Sequence, residues 1–233
     1  MTVASALLTA LPLRGAIVTG DALYCQRDLC RQIVEAGGHY VVLVKANQPT
    51  LRADLEFLFA EPPVDELSGR PVPFACAEQR ERHGDRHEVR RLWVSGALHG
   101  YLDWPGAQQV AKVERASTRR GRVTVQVRYA LTSLPEPDPL GDVPGTTADE
   151  VLRLIRGHWA IENRLHWVRD VTFGEDASQV RSGTAPQALA ALRNAVLGLL
   201  RAAGWDNIAA GLRYNAWRPG AALQLLGLRP GEN

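Results

Sequence analysis

The sequence predicts an α/β fold in which a parallel pair of strands precedes a β-rich segment and a helical C-terminal part. Two short apolar runs, residues 16–21 and 39–45, flank a stretch with helical periodicity. This strand, helix, strand order with two fully apolar strands indicates a parallel pair in a sheet. Alternating segments at 86–94 and 122–131 predict antiparallel strands with one solvated face. We interpret these as a β-rich insertion or an extension of the sheet.

The first strand ends on a carboxylate, Asp21. A helix is predicted over 27–36, because apolar residues recur there at helical spacing and two glycines follow. The second strand, 39–45, is followed by Asn47, and a second helix over 50–59 is expected to cover the sheet with its apolar face.

The last third of the chain is predicted to be helical. A Pro- and Gly-rich linker near 135–141 leads to a capping box, Thr147 with Glu150, which opens a helix to about Arg169. A second capping box begins at Thr184 and opens a helix that ends before Gly204, and a final helical segment is expected around 221–228. The expected core stripe of the second helix consists of Leu189, Leu192, Val196, Leu199 and Leu200.

Composition fits a soluble protein of 233 residues, with 45% hydrophobic and 22% charged residues. No apolar stretch reaches the roughly 20 residues that a membrane span needs, and no basic region precedes the mildly apolar N-terminus. We therefore expect no membrane contact and a cytoplasmic location. Cys25, Cys30 and Cys76 form no CxxC pair, so reduced and mostly packed thiols are expected.

Charge alone does not decide for nucleic acid, because the net charge is only +2. All but two of the 27 basic residues are arginine, which suits bidentate phosphate contact but also follows from a GC-rich genome. The densest basic cluster, at 80–91, is interleaved with acidic residues. We interpret it as a solvated, charged strand face.

The predicted helix after Thr147 carries a polar stripe. At helical spacing one face would present His158, Glu162, His166, Arg169 and Asp170. Two interpretations remain open, a catalytic or metal-binding face and an ion network on a partly buried helix. Trp159 and Trp167 could stack on an unpaired base, although a core role is favoured.

Asp21 also allows two interpretations. Open α/β sheets bind ligands at the carboxyl ends of their strands, so Asp21 is a candidate metal ligand, but Asp equally suits the cap of a following helix. Asp21 and Glu162 together would serve two-metal phosphoryl transfer with Mg²⁺ or Mn²⁺. That chemistry normally needs a third carboxylate, and residues 1–20 contain no Asp or Glu.

Three blocks of the sequence, at 15–26, 38–48 and 158–176, carry a family resemblance. Their order and separation resemble the DDE transposases of bacterial insertion sequences, in the cut-and-paste branch with a Tyr, Arg, Glu, Lys signature. The resemblance covers the chain from about residue 13 to its end. It implies an RNase H-like core with a β-rich insertion, DNA transposon ends as the partner, and Mg²⁺ or Mn²⁺ as cofactor.

The resemblance also implies residue roles. Asp21 matches the second catalytic Asp and Glu162 the catalytic Glu, and both would hold the metal. Arg169 stands at the signature's basic position and would contact phosphate. His158 stands where the signature has Arg and is a candidate for contact with DNA, and Ile155 stands where it has Tyr. Lys45 and Asn47, after the second strand, are further candidates for contact with DNA, or else a solvated strand end with Asn47 capping the next helix.

From this resemblance we expect a leader at 1–12, core at 13–60, a β-rich insertion with linker at 61–140, and helical core at 141–233. The family's first catalytic Asp would lie before residue 13, so the sequence predicts a truncated copy that is inactive by itself. Expected partners besides DNA are an intact transposase or a second copy, and the expected location is the nucleoid in the cytoplasm.

Two alternatives remain. One is a non-catalytic remnant that binds DNA or an intact transposase. The other is a metal hydrolase that uses His158, Glu162 and His166 on one helix, although this spacing differs from the HExxH pattern of zinc proteases.

Overall fold

Six strands form one sheet, with the spatial order β1-β2-β6-β5-β4-β3. In chain order they are β1 (Ile17–Gly20), β2 (His39–Val44), β3 (Ala75–His83), β4 (Arg86–Ser95), β5 (Gln109–Arg119) and β6 (Arg122–Thr132). This computed structural model describes residues 2–65, 67–138 and 145–228, and of Thr2, His83, Glu162 and Asn163 it describes only the backbone.

Strands β1 and β2 pair in parallel, which confirms the predicted parallel pair. Strand β6 then pairs antiparallel with β2, from Val41 opposite Thr132 to Val44 opposite Tyr129. The remaining neighbours are also antiparallel. Because β6 pairs with β2 directly, the β-rich segment continues the same sheet.

Among the described residues of the first of two compact units, residues 1–158, four α-helices accompany the sheet. They are α1 (Thr2–Ala10), α2 (Arg27–Glu35), α3 (Pro49–Ala60) and α4 (Ala148–His158). Tyr40, Val42 and Val44 alternate along β2 and share a core cluster with residues of α2 and α3. Val41 and Leu43, on the other face of β2, are buried as well. Burial on both faces explains the continuous apolar run of this strand.

The helix predicted from Thr147 to Arg169 is shorter than expected. Its capping box forms, because the Glu150 N–H donates to Thr147 Oγ1 at 3.3 Å and the Thr147 N–H donates to a Glu150 carboxylate oxygen at 2.9 Å. Helix α4 nevertheless ends at His158, and two π-helical turns follow, Glu162–His166 and Val168–Thr172. Gly157 precedes this break, and glycine weakens a helix interior. The polar stripe predicted at regular helical spacing therefore does not continue past His158.

The second compact unit, residues 159–233, contains α5 (Ala185–Ala202), α6 (Ile208–Ala216) and α7 (Pro219–Leu225) besides the π-helical turns. Its buried core residues are Val168, Leu197, Leu200 and Ile208. Leu192, which was predicted to lie in the core stripe of α5, is 62% exposed, so the prediction is wrong at this residue. The buried residues of α5 begin about one turn after it, at Leu197. Trp167 is 56% exposed, so the core role favoured for it is also wrong.

The acidic and basic residues of β3 and β4 form a network that is only partly solvated. Glu88 is fully buried and forms salt bridges with Arg86, Arg90 and Arg115, whereas Glu78 binds Arg80 and Arg91 at the surface. The solvated strand face predicted here is therefore wrong for Glu88. Within the described ranges, no helix combines the length and apolar character needed to cross a membrane.

Candidate functional site

Asp21 follows β1 at the carboxyl end of the parallel strand pair, as predicted. Its Oδ1 accepts a hydrogen bond of 2.6 Å from the Leu23 N–H and so caps a short 3₁₀ helix, Ala22–Tyr24. Because this bond engages one oxygen of the half-buried carboxylate, capping and metal binding through the other oxygen are compatible.

The loop after β2 holds the loop after β1. Asn47 Nδ2 donates to the Ala22 carbonyl oxygen at 2.7 Å, and Gln48 Nε2 donates to the Cys25 carbonyl oxygen at 2.9 Å. Gln48, not Asn47, occupies the cap position of α3, and its side chain makes no capping bond there. The expectation that Asn47 caps the next helix is therefore wrong. Instead, Asn47 fixes the backbone directly after Asp21.

Close packing also restrains the end of β1. A Cβ atom at Gly20 would lie 3.1 Å from Tyr24 Cβ and 3.4 Å from Val42 Cγ1, which is tighter than ordinary contact. Glycine at this position allows the 3₁₀ turn to fold back over the strand end. The backbone that carries Asp21 is thus confined on both sides, which favours a fixed orientation of its carboxylate.

His158 contacts the same strand. Its Nδ1 lies 3.2 Å from Thr19 Oγ1, within hydrogen-bonding distance, and Thr19 is two residues before Asp21. This contact ties the end of α4 to β1. Neither residue signals the pairing in the sequence, because 139 positions separate them.

Lys45, the candidate DNA contact after β2, is exposed. It lines a cavity of about 530 Å³ together with Arg52 of α3, Lys112 of β5 and Arg128 of β6. From the sequence, Lys45 alone is a candidate, because the other lining residues come from elements distant in the chain. The structure thus gathers the cationic side chains of Lys45, Arg52 and Lys112 around one cavity.

In the second unit, Glu162 begins the first π-helical turn, and its side chain lies outside the described part of the structure. Arg169, in the second π-helical turn, binds Glu175 through two hydrogen bonds of 2.7 and 2.5 Å. The hydrogen bond from Arg169 is the main cause that lowers the pKa of Glu175. Glu175 was not singled out from the sequence, because a separation of six residues matches no helical spacing. It holds the Arg169 guanidinium in a fixed position.

The structure brings together Asp21, Asn47, Thr19 and His158 around the end of β1. In the described part of the chain, no three His, Cys, Asp or Glu side chains come together as a metal-binding group, and the side chain of Glu162 is outside that part. Asp21 offers a hard oxygen ligand of the kind that Mg²⁺ and Mn²⁺ prefer.

Residues 1–199 match the family model described as "Transposase DDE domain". The matched range therefore includes helix α1 as well as the end of β1 and the π-helical turns.

Of three similar proteins, two are described as putative transposases. "Putative protein YbfL" and "H repeat-associated putative transposase YhhI" of Escherichia coli strain K12 are each 31% identical over 202 residues, which cover 83% of this chain and 50% of each relative. "Putative transposase YncI" of Escherichia coli O157:H7 is 31% identical over 202 residues, 84% of this chain and 48% of that protein. The chain thus spans about half the length of these relatives. Its sequence match and its mixed α/β fold agree, and the chain belongs to the transposase DDE domain family.

Proposed function

We propose that this chain provides the second and third acidic residues of a DNA transposase that cuts and rejoins strands by metal-dependent phosphoryl transfer. The observation that carries the proposal is the position of Asp21, at the carboxyl end of a parallel strand pair, on backbone restrained by Asn47 and by the packing at Gly20. The core is RNase H-like in this proposal, and Glu162 supplies the other acidic residue.

Each site residue has a role in the proposed reaction. Asp21 and Glu162 would hold the divalent ions, Mg²⁺ or Mn²⁺, and a two-metal site would supply activation of the attacking oxygen and stabilisation of the leaving oxygen. Lys45, Asn47, His158 and Arg169 contact DNA at the transposon ends. Glu175 binds Nε and Nη2 of Arg169, so Nη1 is the nitrogen of Arg169 that donates to phosphate. His158 contributes through its contact with Thr19 of β1.

We further propose that these 233 residues alone do not cleave DNA. Residues 1–20 contain no Asp or Glu, so the chain presents two of the three carboxylates that the family chemistry uses. An incomplete ligand set disturbs both metal spacing and activation of the nucleophile. The chain acts in the nucleoid of the cytoplasm, on DNA and together with a second copy or an intact transposase.

The metal assignment is tested by Mn²⁺ binding, followed by the electron paramagnetic resonance signal of the free ion. Asp21→Asn is compared with Asp28→Asn, whose carboxylate is 91% exposed and pairs with Arg31. We expect Asp21→Asn to weaken Mn²⁺ binding and Asp28→Asn to leave it unchanged. Equal binding by Asp21→Asn and the unaltered chain would overturn the assignment.

The activity is tested by Mg²⁺- or Mn²⁺-dependent nicking of DNA that carries the element's ends. We expect neither the chain nor its Glu162→Gln variant to nick this DNA. If the chain nicks and the variant does not, the proposed inactivity is wrong and another carboxylate completes the site.

A second candidate is a non-catalytic remnant that binds DNA or an intact transposase. The cationic side chains of Lys45, Arg52 and Lys112 around the cavity beside β2 favour it. DNA binding without metal-dependent nicking would support this role. The metal hydrolase is disfavoured, because the regular helix it requires ends at His158.

A further inference from the structure

We propose that the cavity beside the end of β2 binds the phosphate backbone of DNA. We call it the basic notch and define it by Lys45, Arg52, Lys112, Arg128 and Tyr129, with Glu56 as its acidic member. The proposal rests on the proposed function in taking DNA as the ligand, and it assigns a binding surface formed by α3 and the strands β2, β5 and β6.

The notch arises because the sheet changes width. Strand β2 ends at Val44, opposite Tyr129, whereas β6 continues to Arg122 and pairs with β5 along its whole length. Along residues 122–128 the outer edge of β6 therefore has no strand partner in the described part of the structure. Helix α3 stands beside this step and closes one side. The result is an open cavity of about 530 Å³ with a strand edge as one wall.

Positive charge dominates the notch. Three cationic side chains, Lys45, Arg52 and Lys112, line the notch beside one carboxylate, Glu56, and Arg52 Nε binds that carboxylate at 2.7 Å. Lys112 Nζ lies 5.4 Å from the centre of the Trp93 ring, and within the described residues neither Lys112 nor Lys45 forms an ion pair.

The lysines add an independent observation. The chain has only two lysines among 27 basic residues, Lys45 and Lys112, and both line the notch. They lie on different strands, 67 positions apart. Lysine carries a compact charge on a flexible side chain. It can therefore bind a phosphate in many orientations, whereas arginine needs the bidentate geometry of its guanidinium.

The polar groups of the notch are mainly donors. Lys45 and Lys112 only donate, and the Tyr129 hydroxyl stays protonated because burial, followed by the charge of Glu56, raises its pKa. Unpaired backbone N–H groups along the edge of β6 add donors of the kind that commonly contact DNA phosphates. A polyanion with closely spaced acceptor oxygens fits this set, and a DNA backbone is the polyanion that the proposed reaction supplies.

The first test measures binding of a short fluorescent DNA duplex by anisotropy, in EDTA, over a series of salt concentrations. The double variant Lys45→Glu with Lys112→Glu is compared with a variant that carries a single reversal, Arg14→Glu. Arg14 is exposed and precedes β1, at the opposite end of the parallel pair. A second double variant, Lys45→Gln with Lys112→Gln, removes the two positive charges without reversing them. Circular dichroism checks that all variants fold.

We expect the double reversal to weaken duplex binding by about tenfold or more and to reduce the slope of log affinity against log salt by about two. Arg14→Glu should change the affinity only slightly and leave the slope unchanged. A double variant that binds with the affinity and slope of Arg14→Glu would overturn the proposal.

The second test uses the unaltered chain and the scarcity of lysine. Reductive methylation modifies lysine amines, and mass spectrometry reads Lys45 and Lys112 separately. We expect duplex DNA to protect both lysines, and poly-glutamate at equal charge to protect them less. Equal modification with and without DNA would overturn the proposal, and stronger protection by poly-glutamate would replace DNA with an acidic polypeptide.

These tests separate the basic notch from the proposed metal site. Mn²⁺ binding at Asp21 is measured without DNA, and duplex binding is measured without a divalent ion. Loss of DNA binding in the lysine variants therefore supports the notch even if Asp21→Asn retains Mn²⁺. Conversely, if the lysine variants bind DNA as the unaltered chain does, the notch proposal is wrong. The assignment of Asp21 as a metal ligand is then still decided by the Mn²⁺ measurement.

Discussion

At the residue scale, Glu88 of β4 shows how a charged residue becomes part of the core. Its side chain has no exposed surface, and three arginines form salt bridges with it. Burial is the largest influence on the pKa of Glu88 and would raise it, but the hydrogen bond from Arg115 and the charges of the three arginines lower it overall. Glu88 is therefore held as a carboxylate, and its negative charge compensates the positive charges of Arg86, Arg90 and Arg115.

We expect Glu88→Gln to lower the free energy of unfolding by about 3 kcal/mol, because breaking a buried ion pair leaves buried charge without compensation. Urea unfolding followed by circular dichroism measures this loss. Glu78→Gln is the matched control on β3, since Glu78 pairs with two arginines at the surface and its loss should change stability little. Equal effects of the two substitutions would contradict a special role for Glu88.

The same carboxylate predicts acid sensitivity. Because the folded pKa of Glu88 is lowered, its contribution to stability is fully present above the ordinary pKa of 4.5 and is lost as the pH falls through the folded pKa. We expect the urea midpoint to fall on acidification below about pH 5, and to fall less in Glu88→Gln. An identical pH profile for both proteins would contradict this origin of the acid sensitivity.

At the scale of elements, two capping boxes that look alike in sequence behave differently. Thr147 and Glu150 exchange the expected hydrogen bonds at the start of α4. Thr184, before α5, has helical dihedral angles of φ −88° and ψ −1° and makes no capping bond with its side chain. A cap needs an extended residue before the helix, and the turn at Ser182–Ala185 does not provide one.

We therefore expect Thr147→Ala to lower the free energy of unfolding by about 1 kcal/mol, the usual loss for a removed cap. Thr184→Ala should have almost no effect, because it removes no capping bond. Thermal unfolding of the two variants beside the unaltered chain measures the difference. A larger loss in Thr184→Ala than in Thr147→Ala would show that the second box forms in solution.

At the scale of the whole molecule, the core decides which thiols react. Cys25 and Cys30 are fully buried in the cluster between the sheet and α2, and burial, with Cys30 nearby, raises the pKa of Cys25 to about 12. Cys76, on β3, is exposed. Reactivity of the buried thiols therefore reports unfolding of the first unit.

We expect an aromatic disulfide reagent to modify Cys76 rapidly and the two buried cysteines only in denaturant. Absorbance of the released thiolate counts the groups, and Cys76→Ser removes the fast phase as a control. Fast modification of all three cysteines in the native chain would show that the core around Cys25 opens readily.

The sequence by itself determined the parallel strand pair, the placement of Asp21 after β1 and the capped start of α4. These features depend on periodicity, short loops and contacts within four residues, all of which are local. The tertiary structure decided where α4 ends, which turn of α5 is buried, and that Asn47 binds the Ala22 carbonyl. It also decided which lysines and arginines meet in the basic notch, because that cavity exists only where a short strand stops beside a longer one.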